Sequence, residues 1–238
     1  DSSLRLVGSE MCIRDRSVTG TLKAEFRVTP AVREFGLALR ERLNTDKRSL
    51  ILAASTHEGE EEAVLQAWAI IREKRGICLL AIAPRHPERF DRVCRLCESK
   101  GLRVVRHSSG VVPEEGDDVL LIDSMGELPG FYGAASVAII GGSFVPHGGH
   151  NALEAAAWGI PVVSGPSVYN FDAVYRGLVH EQGTIVLESD DQLAPTLLEL
   201  FENPDRCRAM GRDNQKAVEK SRGACQATLE IIARTIKT

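Results

Sequence analysis

From Ser49 to Leu187 the chain alternates short aliphatic or β-branched runs with longer amphipathic stretches, and few folds accommodate that alternation. A continuous apolar run of four to eight residues is the pattern of a strand covered on both faces. When a helix-length stretch follows each such strand, the chain returns to a parallel neighbour and builds βαβ units. Strands are expected at Leu50–Ala54, Ile77–Ala83, Leu102–Val105, Val119–Ile122, Val137–Ile140, Pro161–Ser164 and Thr184–Leu187. Helices are expected at Glu60–Lys74, Glu88–Lys100, Glu127–Ala135, Asn151–Trp158, Asp172–Glu181 and Asp191–Glu202. The fold class is therefore α/β, a Rossmann-like parallel sheet with helices on both faces.

The flanks differ from this centre. Thr29–Asn44 is amphipathic and opens with Pro30 one place after a Thr29 cap, a good helix start. Beyond Pro204 the pattern is nearly all helical, over Asp205–Glu219 and Gly223–Ile236, with no further strand signal. Four parts follow: a leader at 1–16, an interdomain segment and entry helix at 17–48, the sheet domain at 49–203, and C-terminal helices at 204–238. The leader, DSSLRLVGSEMCIRDR, has interspersed charges and no apolar centre, so it fits neither a targeting segment nor the fold that follows. It is expected to be a non-native leader and is set aside.

With 238 residues, 43% of them apolar, the chain can bury a substantial core and reads as a soluble globular protein. Its formal charge of −4 supplies no basic field of the kind that draws a protein to nucleic acid or to anionic lipid, so nucleic acid is not expected as a partner. No apolar run approaches the roughly 20 residues needed to span a bilayer. The six cysteines are too sparse for a disulfide framework, and the apolar neighbours Ile77 and Leu79 point to a buried thiol at Cys78, which suits a reducing compartment. Cys94 and Cys97 form a lone C-x-x-C on a helical segment with no second pair at zinc spacing, so they read as an ordinary pair on a helix face.

The most informative stretch is Gly141–Pro166, GGSFVPHGGHNALEAAAWGIPVVSGP. A buried strand runs into a loop with four glycines and then into a helix beginning near Asn151. Glycines at such a turn let the backbone approach a ligand, and a helix start presents unpaired N–H groups with partial positive charge, so Gly149 and Asn151 mark an anion site. Asn151 and Glu154 share a helix face, with Ala152 and Leu153 between them, and Glu154 is placed to accept hydrogen bonds from a ribose diol. The alternative is that Asn151 and Glu154 form only a capping box.

Three further groups follow expected strands. Pro84-Arg85-His86-Pro87 places a guanidinium suited to bonding two oxygens at a strand's carboxyl end, where ligands of open α/β sheets bind; alternatively Arg85 is a surface charge and Pro87 a helix starter. Asp123-Ser124-Met125-Gly126-Glu127 offers an adaptable apolar surface at Met125 and a close approach at Gly126, while Glu127 could equally be a favourable acid in a helix's first turn. Ser55-Thr56-His57-Glu58-Gly59-Glu60 again carries polar groups after a strand, with Ser55, His57 and Glu58, together with Ser143 of the glycine loop, as candidate donor-sugar or interdomain contacts. In a parallel sheet all four groups converge on one rim. His147 and His150 lack a carboxylate at ligand spacing, and no D-x-D is present, so neither a metal site nor a cofactor is expected and the chemistry reads as metal-independent. The missing G-x-S-x-G and P-loop lysine motifs argue against a hydrolase and a nucleoside-triphosphate enzyme.

With STHEGEE (Ser55–Glu61), PRHPERF (Pro84–Phe90), DSMGEL (Asp123–Leu128), the Gly141–Pro166 stretch and the following Asn170-Phe171 in this order, the sequence resembles the 3-deoxy-D-manno-octulosonic acid (Kdo) transferases. VTGTLK (Val18–Lys23) resembles the segment where that family crosses between its two domains. The resemblance implies one half of a GT-B glycosyltransferase fold that binds CMP-Kdo through Pro84, Arg85, Met125, Gly126, Glu127, Asn151, Ala152, Leu153 and Glu154. His86 and Gly149 are included as neighbours of those contacts. Ala155 stands where the family usually has proline, a change a helix tolerates.

The resemblance also implies transfer of Kdo to a lipid A precursor at the cytoplasmic face of the bacterial inner membrane, in lipopolysaccharide core synthesis. The acceptor site, the membrane-anchoring segment and the acidic general base belong to the family's N-terminal domain. This chain is therefore expected to hold the donor, to contribute no catalytic base, to be soluble by itself and to be inactive alone. Two other readings stay open: another GT-B enzyme, such as a UDP-sugar transferase or a non-hydrolysing sugar epimerase, and a non-catalytic nucleotide-sugar binding module.

Overall fold

The computed structural model of the chain describes residues 25–236. The expected leader and the Val18–Lys23 segment lie outside the described residues.

Strand β1 (Ser49–Thr56) and strand β2 (Cys78–Pro84) are apolar along almost their whole length, and both are buried on both faces at the centre of the sheet. They pair in parallel with Leu50 opposite Leu79 and Ile51 opposite Leu80. Strands β3 (Val104–Arg106), β4 (Val119–Leu121), β5 (Val137–Ile140), β6 (Val162–Ser164) and β7 (Thr184–Val186) complete a seven-stranded sheet in the order β3-β4-β2-β1-β5-β6-β7. Every pairing is parallel. From β1 the chain moves to β2, passes to β3 at the edge of the sheet and returns to place β4 between them. It then crosses back to place β5 on the other side of β1, so the winding direction reverses between β1 and β5. A crevice opens at such a point outside the strands' carboxyl ends.

Helix α1 (Pro30–Arg42) starts as the sequence suggests, with the Thr29 hydroxyl accepting from the Val32 amide at 3.3 Å. Helix α2 (Glu60–Arg75) buries Val64, Leu65, Trp68 and Ile71 against the sheet, and the Trp68 indole N–H donates to the Cys78 carbonyl at 3.0 Å. Helix α3 (Phe90–Ser99), preceded by a 3-10 turn at Pro87–Arg89, turns Val93, Cys94 and Cys97 inward. The C-x-x-C is thus a packed pair, and burial raises the thiols of both Cys78 and Cys97 to about 12, so both stay protonated. The short helices α4 (Leu128–Phe131) and α5 (Leu153–Ala157) are followed by α6 (Asp172–His180), α7 (Leu193–Glu202), α8 (Pro204–Ser221) and α9 (Ala224–Ile236).

One boundary differs from expectation. The sheet, α1 and α8 as far as Lys220 form a single compact unit over Phe26–Lys220, whereas α9 belongs with Glu25 to another. Helix α8 is held in place by Asn214, which is fully buried. Its amide donates to the carbonyls of Ile160 at 2.8 Å and Gly183 at 2.7 Å and accepts from the Thr184 hydroxyl at 3.0 Å, tying α8 to the starts of β6 and β7. Helix α8 is thus anchored on the sheet, and together with α9 it makes up the helical C-terminal segment that the sequence predicts. In the other unit, the Glu25 carboxylate accepts from the amides of Gly223 and Cys225 just ahead of α9. Among the described residues no helix is long and apolar enough to cross a membrane.

Candidate functional site

The loop after β5 is shaped by an anion from within the chain. The first residue of α2, Glu60, is 2% exposed, and its carboxylate accepts from the backbone amides of Gly142 at 2.7 Å, Ser143 at 3.0 Å and Phe144 at 2.9 Å. It accepts a fourth bond from the His57 amide at 2.9 Å. Successive amides curl around one anion only where the backbone visits the left-handed region, and Gly142 does so at φ +66°. The expectation that this loop offers its amides to a ligand is therefore corrected for Gly142–Phe144, whose N–H groups are already engaged. Ser143, a candidate donor-sugar or interdomain contact, is fully buried. Its hydroxyl donates to the Ile140 carbonyl at 2.5 Å and accepts from the Gly165 amide at 2.8 Å, so it braces the loop.

The second half of the loop is braced from the far side. Gly148 lies at φ +79°, and a Cβ there would stand 2.5 Å from the Asn170 side-chain nitrogen. Asn170 donates to the His147 carbonyl at 2.7 Å, Tyr169 to the Pro146 carbonyl at 3.0 Å, and Tyr175 to the His150 carbonyl at 3.2 Å. Asn170 of the sequence signature thus supports the loop. Gly149 donates to the Gly142 carbonyl at 2.8 Å and closes the loop on itself.

Helix α5 begins later than expected because the Asn151 side-chain oxygen accepts from the Leu153 amide at 3.2 Å, an Asx turn that occupies the first turn of the predicted helix. Ala152 and Leu153 are buried as whole residues, and the Leu153 amide is engaged by Asn151, so both support the turn from below. Glu154 is half-buried, and burial holds its carboxyl above the usual range while the Asn151 side chain beside it pulls the other way.

At the end of β1, Ser55 adopts φ +56°, uncommon for a residue with a side chain, beside an irregularity in the β1–β2 register. Strain of this kind redirects Thr56 and His57 toward the rim. The Thr56 hydroxyl donates to Glu61 at 2.6 Å, and Arg89 grips the same carboxylate through both nitrogens at 2.7 and 2.9 Å. STHEGEE and PRHPERF are thereby locked together by a buried ion pair. Sequence reasoning missed Glu60, Glu61 and Arg89 as the residues that set the rim. Glu58 faces outward and pairs with Arg92.

Arg85 and His86 follow the buried Pro84 at the end of β2 and are both exposed, and Arg85 makes no ion pair among the described residues. Met125 is exposed to 57% and Gly126 lies at φ +86° with open space beside it. Glu127 is not a simple helix-start acid, because His107 hydrogen-bonds its carboxylate at 3.1 Å while stacking edge-on against Phe131. On the rim where the polar groups converge, the rings of His86, His147 and His150 all lie against that of His57.

A doubly wound parallel sheet with its polar loops gathered at the rim where the winding reverses defines a Rossmann-like α/β domain. No protein-family model matches the chain. It is similar to the C-terminal CMP-Kdo binding domain of WaaA from Acinetobacter baumannii, with 30% identity and a TM-score of 0.76 over 80% of this chain and 99% of that one. It is also similar to the 3-deoxy-D-manno-octulosonic acid transferase of Haemophilus influenzae, 35% identical over 217 residues, which are 91% of this chain and 51% of the relative. A complex of Anabaena HepE with UDP and glucose shares the fold alone, at 14% identity and a TM-score of 0.58 over 88% of this chain and 53% of that one. The chain belongs to the 3-deoxy-D-manno-octulosonic acid transferase family, and it spans about half the length of the curated relatives it matches.

Proposed function

We propose that this chain is the donor-binding half of an inverting, metal-independent glycosyltransferase that moves Kdo from CMP-Kdo to a lipid A precursor at the cytoplasmic face of the inner membrane. The observation that carries this reading is the gathering of Arg85, Met125–Glu127 and Asn151–Glu154 outside the carboxyl ends of β2, β4 and β5 of one sheet. Similarity to a CMP-Kdo binding domain supports the choice of nucleotide.

In this reading Met125 and Gly126 lie against the cytosine, Glu154 accepts from the ribose hydroxyls, and Arg85 with the turn at Asn151 holds the phosphate, the Gly149 amide being spent on the Gly142 carbonyl. When the acceptor hydroxyl attacks the anomeric carbon from the opposite face, the bond to the phosphate oxygen breaks and negative charge accumulates on the leaving CMP. A fixed guanidinium there is worth more in the transition state than in the ground state. The base that takes the acceptor proton is supplied from outside this chain, as are the acceptor site and the membrane contact.

The test is thermal unfolding with CMP, UMP and AMP. A ligand that binds only the folded state stabilises by about 2.7 kcal/mol at a hundredfold excess over its Kd. CMP should raise the midpoint most, with or without a chelator, whereas equal shifts for the three nucleotides would remove the CMP assignment. Transfer from CMP-Kdo to a lipid A precursor by this chain alone should stay at background.

A further inference from the structure

Four imidazoles meet where β1 and β5 end. The His57 ring centre lies 4.4 Å from that of His147, 5.4 Å from His86, and 5.0 Å from His150, whose ring is parallel to it within 7° and meets it edge to edge. The Nε2 atoms of His57 and His150 are 2.8 Å apart, so one ring donates to the other and the pair shares a single proton. That spacing is a hydrogen bond and is tighter than the roughly 3.3 Å between two nitrogens bound to one tetrahedral zinc. The charged groups facing the pair are Arg85 from the loop after β2, Arg89 from the following turn, and Glu61 of α2. Glu61 is the one carboxylate among them, and Arg89 and Thr56 already bond both its oxygens. Among the described residues, four bases thus converge beside Arg85 with no free counter-anion, the Arg89 charge being already met by Glu61.

Burial and the neighbouring imidazoles, followed by Arg89 for His57 and with Arg85 for His150, push both members of the pair down to about 4, so at neutral pH they are uncharged. Like groups packed together against their own protonation contribute nothing evident to the fold, and arrangements of this kind accompany binding of an opposite charge. Position narrows the choice of anion. Glu154 is placed for the ribose and Asn151 lies one turn back toward the phosphate, so His150 and the three rings around it border the group beyond the phosphate. In an activated 2-ulosonic acid that group carries a carboxylate on the carbon bonded to the phosphate oxygen.

We propose that His57, His86, His147 and His150, with Arg85, form a subsite for the carboxylate of the donor's sugar acid, and that donor binding loads one proton onto the His57–His150 pair. This inference rests on the donor reading above. The carboxylate replaces the missing counter-charge, the shared proton is joined by a second from solvent, and each ring of the pair turns a protonated nitrogen to an oxygen. Sugars lacking an acid at that carbon forfeit both effects, which makes the cluster a specificity element.

Isothermal titration calorimetry of the full chain, in two buffers of different ionisation enthalpy, tests this with CMP, CMP-Kdo and the CMP-Kdo derivative whose sugar carboxylate is a carboxamide. CMP-Kdo should bind with proton uptake and tighten as pH falls from about 8 to about 6, across the ordinary histidine range. The carboxamide should bind about tenfold to a hundredfold more weakly, as for loss of a charged hydrogen-bond partner, with no uptake. His57→Asn should reduce CMP-Kdo to the carboxamide's affinity while leaving CMP unchanged, and His147→Asn, on an exposed ring, gives the same readout with less risk to the fold. If CMP binds but the acid and the amide bind alike, the subsite falls and the donor reading stands. If CMP itself fails to bind, both fall. A chelator that abolishes the preference for the acid would overturn the proposal in favour of a metal.

Discussion

Glu60 and Gly142 are 82 residues apart in the chain, yet the Glu60 carboxylate accepts from the Gly142 amide at 2.7 Å and fixes the glycine loop that follows β5. Replacing Glu60 with Gln keeps the size, removes the charge and leaves one acceptor oxygen where two served four amides. Each buried amide left unpaired costs about 1–3 kcal/mol. Chemical denaturation of Glu60→Gln should show a loss of that order or larger, together with weaker CMP binding. An unchanged midpoint would mean that the loop holds its shape without this carboxylate.

Arg85→Ala should separate phosphate from ribose. Removing a guanidinium that bonds the phosphate should weaken CMP by about 1.5–3 kcal/mol and leave cytidine nearly untouched, both measured by calorimetry. Glu154→Gln, which weakens an acceptor of ribose hydroxyls, should instead weaken CMP and cytidine alike. Equal losses for Arg85→Ala with both ligands would place Arg85 away from the phosphate.

Glu154 carries a second prediction through pH. Its carboxyl is held above the ordinary range by burial, so the folded chain binds its proton more tightly than the unfolded chain does. Stability from this group is present at low pH and is lost as pH rises through the raised folded value. Without ligand, Glu154→Gln should therefore be at least as stable as the parent at neutral pH, with the gap closing on acidification. A variant that unfolds at neutral pH would restore the capping-box reading of this residue.

The strands were legible because burial on both faces forces continuous apolar runs, and Val137–Ile140 needed no revision. Helix lengths were less so. The run Glu127–Ala135 is helical only over Leu128–Phe131, because Ala134 and Ala135 donate three residues back, to Phe131 and Tyr132, and tighten the chain into turns. The rim groups could be found because each follows a strand. The sequence pattern does not order the strands, however, and only the adjacency of β1 and β5 brings Glu60 under the glycine loop and His57 onto His150. Nothing in the spacing of those histidines, read for metal ligands, indicated a mutual hydrogen bond.

Acid should destabilise the rim. His57 and His150 titrate at about 4 in the folded chain and near 6.5 when unfolded, so between those values the unfolded chain binds more protons and stability falls as pH falls. The thermal midpoint should drop across that window, and His57→Asn should flatten the dependence. A parallel slope in the variant would assign the acid sensitivity to other groups.

Gly148→Ala should be folded but compromised. The left-handed backbone and the 2.5 Å approach of Asn170 both oppose a methyl group, and strain of this kind costs about 1–3 kcal/mol. Thermal unfolding should register the loss, and relaxation of the Asn170 to His147 bond should weaken CMP binding as well. Wild-type stability in this variant would show that Asn170 moves aside freely.

The internal carboxylate at Glu60 also bears on how quickly the domain can be occupied. A loop whose amides are already satisfied has no disordered empty state to leave and nothing to refold around an arriving ligand. Encounter with CMP should therefore be limited by diffusion and orientation, with rates that scale linearly with nucleotide concentration and show no plateau from a slow closing step. The slow motion of a complete transferase would then lie in the approach of its two halves, with this half acting as the rigid partner.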